Sequence, residues 1–251
     1  MDKMIYSILS VKKDPEKLDT LLRSLKGIAG ADLYAVSSDQ ISAVVSDINR
    51  PDLIANNSNA IDYAGVIETL ARKFTLLPMR FGSVMDSIGS INNMLVKNYS
   101  EIQNNLQKVE NKYEFGLKVF CDPEKLMSEL SLESEATNET LQTSYSEMKT
   151  SVYREYVNEK LKEHKKEEIL LSYVDSVIAE LTEFLSQLNT LKKIKKMTSA
   201  KNIIDAVFLL KKEDKNELIQ AVEDFQSKYP RLNFILTGPW PPYNFVDITI
   251  K

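Results

Sequence analysis

The chain has 251 residues, of which 43% are hydrophobic and 27% charged, a balance typical of a folded globular protein. This length allows one large domain or two ordinary ones. A single cysteine, a single histidine and a formal net charge of −4 argue against a disulfide framework, a zinc, haem or iron-sulfur centre, and a nucleic-acid-binding surface.

Apolar runs in the chain are short. One of the longest, residues 206–210, is far below the roughly 18 residues that a membrane span requires. Residues 4–9 lead into the charged Lys12, Lys13 and Asp14 without the long apolar region and cleavage site of a secretory signal. The sequence therefore predicts a cytoplasmic protein without membrane association.

The first half of the chain alternates between strand and helix patterns. Apolar stretches predict strands at residues 4–10, 32–36, 41–47, 76–81 and 114–120. Helical spacing predicts a helix from Pro15 to near Gly27, a second at 59–74 and a third at 87–110. The order strand, helix, strand, strand, helix, strand predicts a ferredoxin-like domain at 1–122, closed by strand 114–120 and enlarged by 76–110.

The middle of the chain is expected to be helical after a polar connection. Residues 128–140 are polar and acidic, which predicts a linker over 123–140. No glycine occurs between Gly116 and Gly238. Apolar stripes at 145–161 and 170–191 predict a helical hairpin, with one long kinked helix as the alternative. The lysines of residues 192–196 would then complete the negative end of a helix dipole or, alternatively, bind an anion.

The C-terminal part returns to mixed patterns. Strands are predicted at residues 203–210, 232–236 and 245–250, with a helix opened by a capping box of Asp214 and Glu217. These elements predict a C-terminal domain at 141–251, in which the helical hairpin joins a small α+β sheet of modified ferredoxin-like type. The predicted fold class is α+β.

Motifs of known catalytic chemistry do not occur in the sequence. It contains no G-x-S-x-G, P-loop, G-x-G-x-x-G or H-E-x-x-H pattern. His164 lies in a run of charged residues that predicts a solvated helix face, and Cys121 is expected to be a small buried hydrophobe. A pair of catalytic carboxylates stays open in principle, but no spacing singles one out. We therefore expect no catalytic residues, no cofactor and no metal.

Two segments stand out, and the first follows the second helix. Its apolar residues surround one arginine, in the order Leu77, Pro78, Met79, Arg80, Phe81 and Gly82. A buried guanidinium without a partner costs several kcal/mol. The sequence therefore predicts that Arg80 is held by a carboxylate or by carbonyl groups where the two domains join, with direct contact to a partner protein as the alternative.

The second segment combines prolines with large aromatic residues, in the order Gly238, Pro239, Trp240, Pro241, Pro242 and Tyr243. Prolines cannot donate ladder hydrogen bonds, so the segment must lie at a sheet edge or a crossover. The pattern predicts a rigid crossover that leaves its strand at Leu236, with Trp240 and Tyr243 packed against the C-terminal domain. A docking surface for a partner has the same composition and is the alternative.

With both segments present in this order, the chain resembles the gas vesicle protein F/L family. Residues 77–84 and 238–243 are similar to that family's two most characteristic motifs, and residues 43–46, 114–119 and 206–210 agree further. The resemblance extends over nearly the whole chain. A six-residue match with one tryptophan and three prolines is very specific.

The resemblance implies a non-enzymatic accessory or minor structural protein of gas vesicle assembly. Such a protein is expected to bind the small hydrophobic shell protein, to prevent its aggregation during nucleation, and to associate with other gas vesicle accessory proteins and with the vesicle. The two motifs would then be structural or partner-binding segments.

A second interpretation comes from the predicted fold alone. Ferredoxin-like domains also serve as regulatory modules that bind small ligands, and as RNA readers. RNA binding requires exposed aromatic residues among basic charge, which the nearly neutral N-terminal half does not provide. Retention of a metabolite or of RNA, rather than of the shell protein, would indicate this alternative.

Overall fold

The computed structural model describes residues 1–11, 15–122, 125–126, 152–187, 190–196 and 202–246. The first half contains β1 (Asp2–Ser10), α1 (Pro15–Arg23), β2 (Leu33–Ser38), β3 (Ile41–Ile48), α2 (Asn57–Ala71), β4 (Leu76–Pro78), β5 (Val84–Met85), α3 (Ile88–Lys97), α4 (Tyr99–Val109) and β6 (Lys112–Phe120). Then follow α5 (Val152–Gln187), β7 (Leu191–Lys196), β8 (Asn202–Lys211), α6 (Lys215–Lys228) and β9 (Asn233–Trp240). The mixture of helix and sheet confirms the predicted α+β class.

Backbone proximity groups the chain into two compact units. Unit 1 combines residues 1–115 with residues 238–251, and unit 2 comprises residues 116–237. This grouping differs from the division near residue 122 that the sequence predicts, because the C-terminal segment groups with the N-terminal half. Which segments fold as independent domains stays a prediction.

The sheet of unit 1 has the strand order β2-β3-β1-β4, and β5 also pairs with β1. With α1 and α2 as the connections, this is the topology of a ferredoxin-like sandwich. The prediction that residues 114–120 close this sheet is wrong. The short β4 closes it, with Ile8 opposite Leu77 and Ser7 opposite Pro78, whereas β6 belongs to a second sheet.

Both faces of this sheet are covered. Met4, Tyr6 and Leu9 of β1 lie in one core with apolar residues of α1 and α2, and the register of β1 on β3 shifts between Ile5 and Ser7. Ile8, outside that core, is also buried.

The predicted third helix is divided into α3 and α4 at Asn98, whose Nδ2 donates to Met94 O at 2.8 Å.

The second sheet has the order β7-β8-β6-β9. Buried residues of α5 recur at helical spacing, as Val174, Val177, Leu181 and Leu185. Rings from α5, from α6 and the residue that follows it, and from β9 form an aromatic cluster in unit 2, which comprises Tyr173, Phe184, Phe225, Tyr229 and Phe234. This cluster stabilises the contact between the two helices.

Three sequence predictions for unit 2 need correction. Helix α5 runs unbroken through residues 161–170, where the turn of the hairpin was expected, because the segment contains neither glycine nor proline. Residues 192–196 form an edge strand and not a helix end. The side chain of Asp214 makes no capping hydrogen bond, since a 3₁₀ turn already precedes α6.

Other predictions fall wholly or partly outside the described residues. These are the linker at 123–140, the first apolar stripe up to residue 151 and most of the strand at 245–250.

His164 is exposed on α5 and Cys121 is buried, as predicted. Within the described ranges, no helix is both long and apolar enough to span a membrane. No group of three or more His, Cys, Asp or Glu residues in that part of the chain could hold a metal ion.

Candidate partner-binding site

The segment of residues 77–82, hereafter the N-terminal motif, is tied to β1 by its backbone. Met79 N donates to Tyr6 O at 2.9 Å, and after the motif Ser83 O accepts from Ile5 N at 2.8 Å. Between these bonds, Ser83 N donates to Arg80 O at 3.0 Å. Gly82 has a φ of +85°, which glycine adopts readily at the third position of a type II turn. The motif is therefore a short strand followed by a tight turn.

Tyr63 of α2 anchors this turn from the side. Its hydroxyl donates to Met79 O, and its ring meets Phe81 edge to face at 5.5 Å and stacks on Tyr6 at 5.7 Å. Burial raises the pKa of Tyr63, with smaller contributions from Tyr243 and Tyr6. The phenol therefore stays protonated at neutral pH, as its donated hydrogen bond requires.

Arg80 does not have the enclosed environment that the sequence predicts. Its side chain is exposed at the turn, and among the described residues no carboxylate lies within ion-pair distance of it. The strand β4 ends at Pro78, so the chain has already turned outward when it reaches Arg80. The prediction of an enclosed, paired arginine is wrong, and the alternative of a partner contact stays a prediction.

The segment of residues 238–243, hereafter the C-terminal motif, begins inside a strand. Strand β9 does not stop at Leu236 as predicted but continues to Trp240, with a cis peptide bond between Gly238 and Pro239. The strand lies at the end of the order β7-β8-β6-β9, which confirms the predicted edge position. An edge strand tolerates Pro239 because one of its sides needs no ladder donors.

A buried carboxylate holds the residues that follow this motif. Glu114 is 3% exposed, and its two oxygens accept from Asn244 N at 2.7 Å and from Asn244 Nδ2 at 2.6 Å. Lys108 Nζ donates to Phe245 O at 2.9 Å, and the ring of Phe245 is buried. The chain is therefore clamped immediately after Tyr243.

The aromatic residues of the C-terminal motif face outward, contrary to the prediction that they pack inward. Trp240 is 41% exposed and Tyr243 is 40% exposed, while Pro241 and Pro242 are buried. The clamp at Asn244 and Phe245 keeps Pro241 and Pro242 buried, whereas the rings of Trp240 and Tyr243 on either side of these prolines reach the surface. Although the side chain of Tyr243 is partly exposed, burial of its remaining part and the nearby carboxylates of Glu68 and Glu114 raise the pKa of Tyr243 to about 12, so this phenol is neutral at physiological pH.

The structure brings the two motifs to the same helix of unit 1. Tyr63 contacts Met79 and Phe81 of the N-terminal motif, and Tyr243 of the C-terminal motif is near enough to contribute to the raised pKa of Tyr63. Sequence reasoning missed Tyr63 and the bond between Glu114 and Asn244. No local signal pointed to either, because the alternation along β6 places Glu114 on the outward side and its partner lies 130 residues away in sequence.

Comparison with known proteins agrees with the resemblance of the motifs. A family profile described as "Gas vesicle synthesis protein GvpL/GvpF" matches residues 3–247. Gas vesicle protein F1 of Halobacterium salinarum is 22% identical over 254 aligned residues, covering 100% of this chain and 96% of the relative. Gas vesicle protein L of Haloferax mediterranei is 22% identical over 88% of this chain and 73% of its own length.

Two solved structures share the fold. The crystal structure of the gas vesicle protein GvpF from Anabaena sp. PCC7120 has a TM-score of 0.75 at 23% identity, covering 99% of this chain and 97% of that one. The GvpF structure from Microcystis aeruginosa has a TM-score of 0.74 at 20% identity, covering 98% and 99%. From the profile match over nearly its whole length, this chain belongs to the gas vesicle synthesis protein GvpL/GvpF family.

Proposed function

We propose that the protein is a non-enzymatic assembly factor of gas vesicles, which binds the small hydrophobic shell protein and prevents its aggregation during nucleation. The family match over residues 3–247 supports this proposal most directly. A shell subunit that exposes apolar surface and strand edges before it polymerises is prone to aggregate. A partner that covers either surface would keep it competent for assembly. In this role the protein would act in the cytoplasm and on the growing vesicle, together with other accessory proteins.

The exposed side chains that best suit this role are those of Arg80, Trp240 and Tyr243 in the two motifs. Trp, Tyr and Arg are the residue types that most often dominate binding energies at interfaces. The backbone on both sides of Trp240 and Tyr243 is held by β9 and by the clamp of Asn244 on Glu114. Little conformational entropy would therefore be lost when these side chains dock.

The proposal is tested by refolding the shell protein from denaturant in the presence of this chain, while light scattering is recorded. We expect scattering to be suppressed, and tagged protein to capture the shell protein. The Trp240→Ala variant should bind about thirtyfold more weakly, since a central interface tryptophan contributes ~2 kcal/mol or more. Ile54→Ala is a matched control, because Ile54 is exposed and apolar but lies outside both motifs.

Two results would contradict the proposal at different levels. If the intact protein neither captures the shell protein nor lowers its scattering, the proposed function is wrong. If it does both, but Trp240→Ala behaves like Ile54→Ala, the function stands and the binding surface lies elsewhere. Circular dichroism of each variant establishes that the fold is retained.

A further inference from the structure

A surface cavity of about 240 Å³ lies between α5 and α6 of unit 2. Apolar and charged side chains line it together, namely Glu180, Phe184, Ala221, Asp224, Phe225 and Lys228. Pockets that enclose cofactors and other small molecules usually have volumes of roughly 300–1,000 Å³. The size of this cavity is therefore better suited to one large side chain of a partner than to a cofactor.

Two phenylalanine rings form the aromatic part of the cavity. Phe184 of α5 meets Phe225 of α6 edge to face, with 6.3 Å between the ring centroids. Both residues are half-buried, so part of each ring is accessible from solvent. Phe225 also stacks on Tyr229 and on Phe234, which holds its ring in place. The cavity therefore offers a fixed aromatic surface against which an apolar group or a flat cation can pack.

The charged residues of the cavity differ in how they are paired. Lys228 Nζ donates to Glu180 Oε2 at 2.6 Å, and the two charges compensate each other. Asp224 is exposed, and its Oδ1 accepts from the neutral amide of Gln220 at 3.1 Å. Among the described residues, no cation lies within ion-pair distance of Asp224. The cavity therefore carries one uncompensated negative charge, on the residue that precedes Phe225.

The helix surfaces around the cavity are acidic as well. Residues 180–187 of α5 and 217–228 of α6 contain Lys228 as their one basic residue. The same ranges add the exposed Glu183, Glu217 and Glu223 to the two carboxylates of the cavity. This local charge favours a positively charged occupant and disfavours a nucleic acid.

Arginine is the side chain whose chemistry matches both the rings and the carboxylate. Its planar guanidinium stacks on aromatic rings and can donate two hydrogen bonds to one carboxylate, whereas the ammonium of lysine is a hydrated point charge. A leucine or phenylalanine would fill the cavity but would desolvate Asp224 without pairing it.

We propose that this cavity binds an arginine side chain of a partner protein, with the guanidinium packed against Phe184 and Phe225 and paired with Asp224. Further basic residues on the same segment of the partner would be attracted by the acidic surfaces of α5 and α6. The aromatic rings would supply the cation–π contact, and Asp224 would set the preference for a charged side chain.

This site goes beyond the proposed function and is independent of it. The cavity belongs to unit 2, whereas Arg80, Trp240 and Tyr243 belong to unit 1. Substitutions in the cavity should therefore leave capture of the shell protein unchanged, and Trp240→Ala should leave binding to the cavity unchanged. The two proposals can fail separately.

The test uses the isotope-labelled full chain and the peptide acetyl-Ala-Arg-Ala-amide, with binding followed by NMR. We expect the amide signals of residues 221–225 to shift as the peptide is added. A peptide with citrulline in place of arginine is the matched probe, since citrulline keeps the shape of the side chain but has no charge. It should bind about tenfold more weakly, because it loses both the cation–π contact and the ion pair. A lysine peptide should bind with intermediate affinity.

Two substitutions that remove the same charge test the role of Asp224. Asp224→Asn should bind the arginine peptide about three- to fivefold more weakly, since it removes the ion pair but keeps an acceptor for Gln220. Glu223→Gln is the matched control at the adjacent exposed position, which does not line the cavity, and it should bind almost as tightly as the unaltered protein. Ala221→Met should fill the cavity and abolish binding, with circular dichroism as the check that the fold is retained.

Four results would overturn the proposal. Equal binding of the arginine and citrulline peptides would exclude a role for charge. An equal loss in Asp224→Asn and Glu223→Gln would identify a diffuse acidic surface instead of this cavity. Unchanged binding by a folded Ala221→Met variant would place the peptide elsewhere, and tighter binding of free arginine than of the peptide would indicate a small-molecule site.

Discussion

Glu114 is a residue whose burial is not predicted by the alternation of its own strand. Phe115, Leu117 and Val119 alternate along β6 as the inward set, so Glu114 should face solvent. It is buried instead, because Asn244 covers it from a distance of 130 residues in sequence. A carboxylate in such a place is stable only when its oxygens are hydrogen-bonded, as they are here.

At this scale we predict that Asn244→Ala lowers the free energy of unfolding by about 1.5–3 kcal/mol. The change removes a charge-assisted hydrogen bond from a buried carboxylate, while the bond from the backbone N–H can remain. Gln220→Ala is the control, because the exposed Gln220 Nε2 donates to Asp224 Oδ1 at 3.1 Å in solvent. Urea unfolding should show almost no effect of the control. Equal effects of the two changes would refute the clamp.

The phenol of Tyr243 yields a second prediction. Its pKa is raised from about 10 to about 12, chiefly by burial. A raised pKa in the folded state means that the associated stability is fully present below pH 10 and is lost as the pH rises towards 12. Tyrosinate absorbance should therefore show a late-titrating phenol that Tyr243→Phe removes, with free tyrosinamide as the reference. A phenol at Tyr243 that titrates with the reference would contradict this.

Among the elements, β9 depends on one glycine where it enters the C-terminal motif. Gly238 has a φ of +115°, and a Cβ atom there would lie 2.9 Å from Glu114 O. The backbone therefore approaches β6 more closely than any other residue type allows. This close approach positions Trp240, which follows two residues later.

We predict that Gly238→Ala destabilises the protein by about 2–3 kcal/mol, since it combines a strained φ with a steric contact to backbone. Gly65→Ala is the matched substitution, in the interior of α2 with open space around the added methyl. It should stabilise by about 0.5–1 kcal/mol because alanine favours the helix. Thermal unfolding of the two variants should shift in opposite directions. A shift of both in the same direction would be inconsistent with this account.

On the scale of the whole molecule, unit 1 is assembled from two segments that are distant in sequence. Residues 238–246 provide Asn244 to Glu114 and the buried ring of Phe245, although more than 100 residues separate them from β6. The sequence alone predicts that residues 1–122 form a domain without this segment.

We predict that a fragment of residues 1–122 is less stable than unit 1 in the full chain, because Glu114 loses both hydrogen bonds from Asn244 and the apolar site of Phe245 is exposed. Addition of a synthetic peptide of residues 238–251 should raise its melting temperature by mass action. A peptide with Asn244→Ala and Phe245→Ala is the control and should have little effect. If the fragment is equally stable with and without the peptide, the predicted boundary at residue 122 is the better description.

The sequence by itself determined the local elements and the family. Apolar periodicity and breaker residues predicted β1, α1, β2, β3 and α2 within a few residues, since these signals act over single turns and strand repeats. The two motifs were sufficient to identify the family, because one tryptophan among three prolines is rarely matched by chance.

Only the tertiary structure decided which elements share a sheet and which side chains reach the surface. The pattern of β6 is equally compatible with either sheet, and LKKIKK fits a helix end as well as an edge strand, because periodicity does not specify the pairing partner. Likewise, composition could not distinguish a buried Trp240 from an exposed one. Which side chains of this motif are buried depends on the clamp between Asn244 and Glu114. These two residues are 130 positions apart, so the local sequence does not indicate their contact.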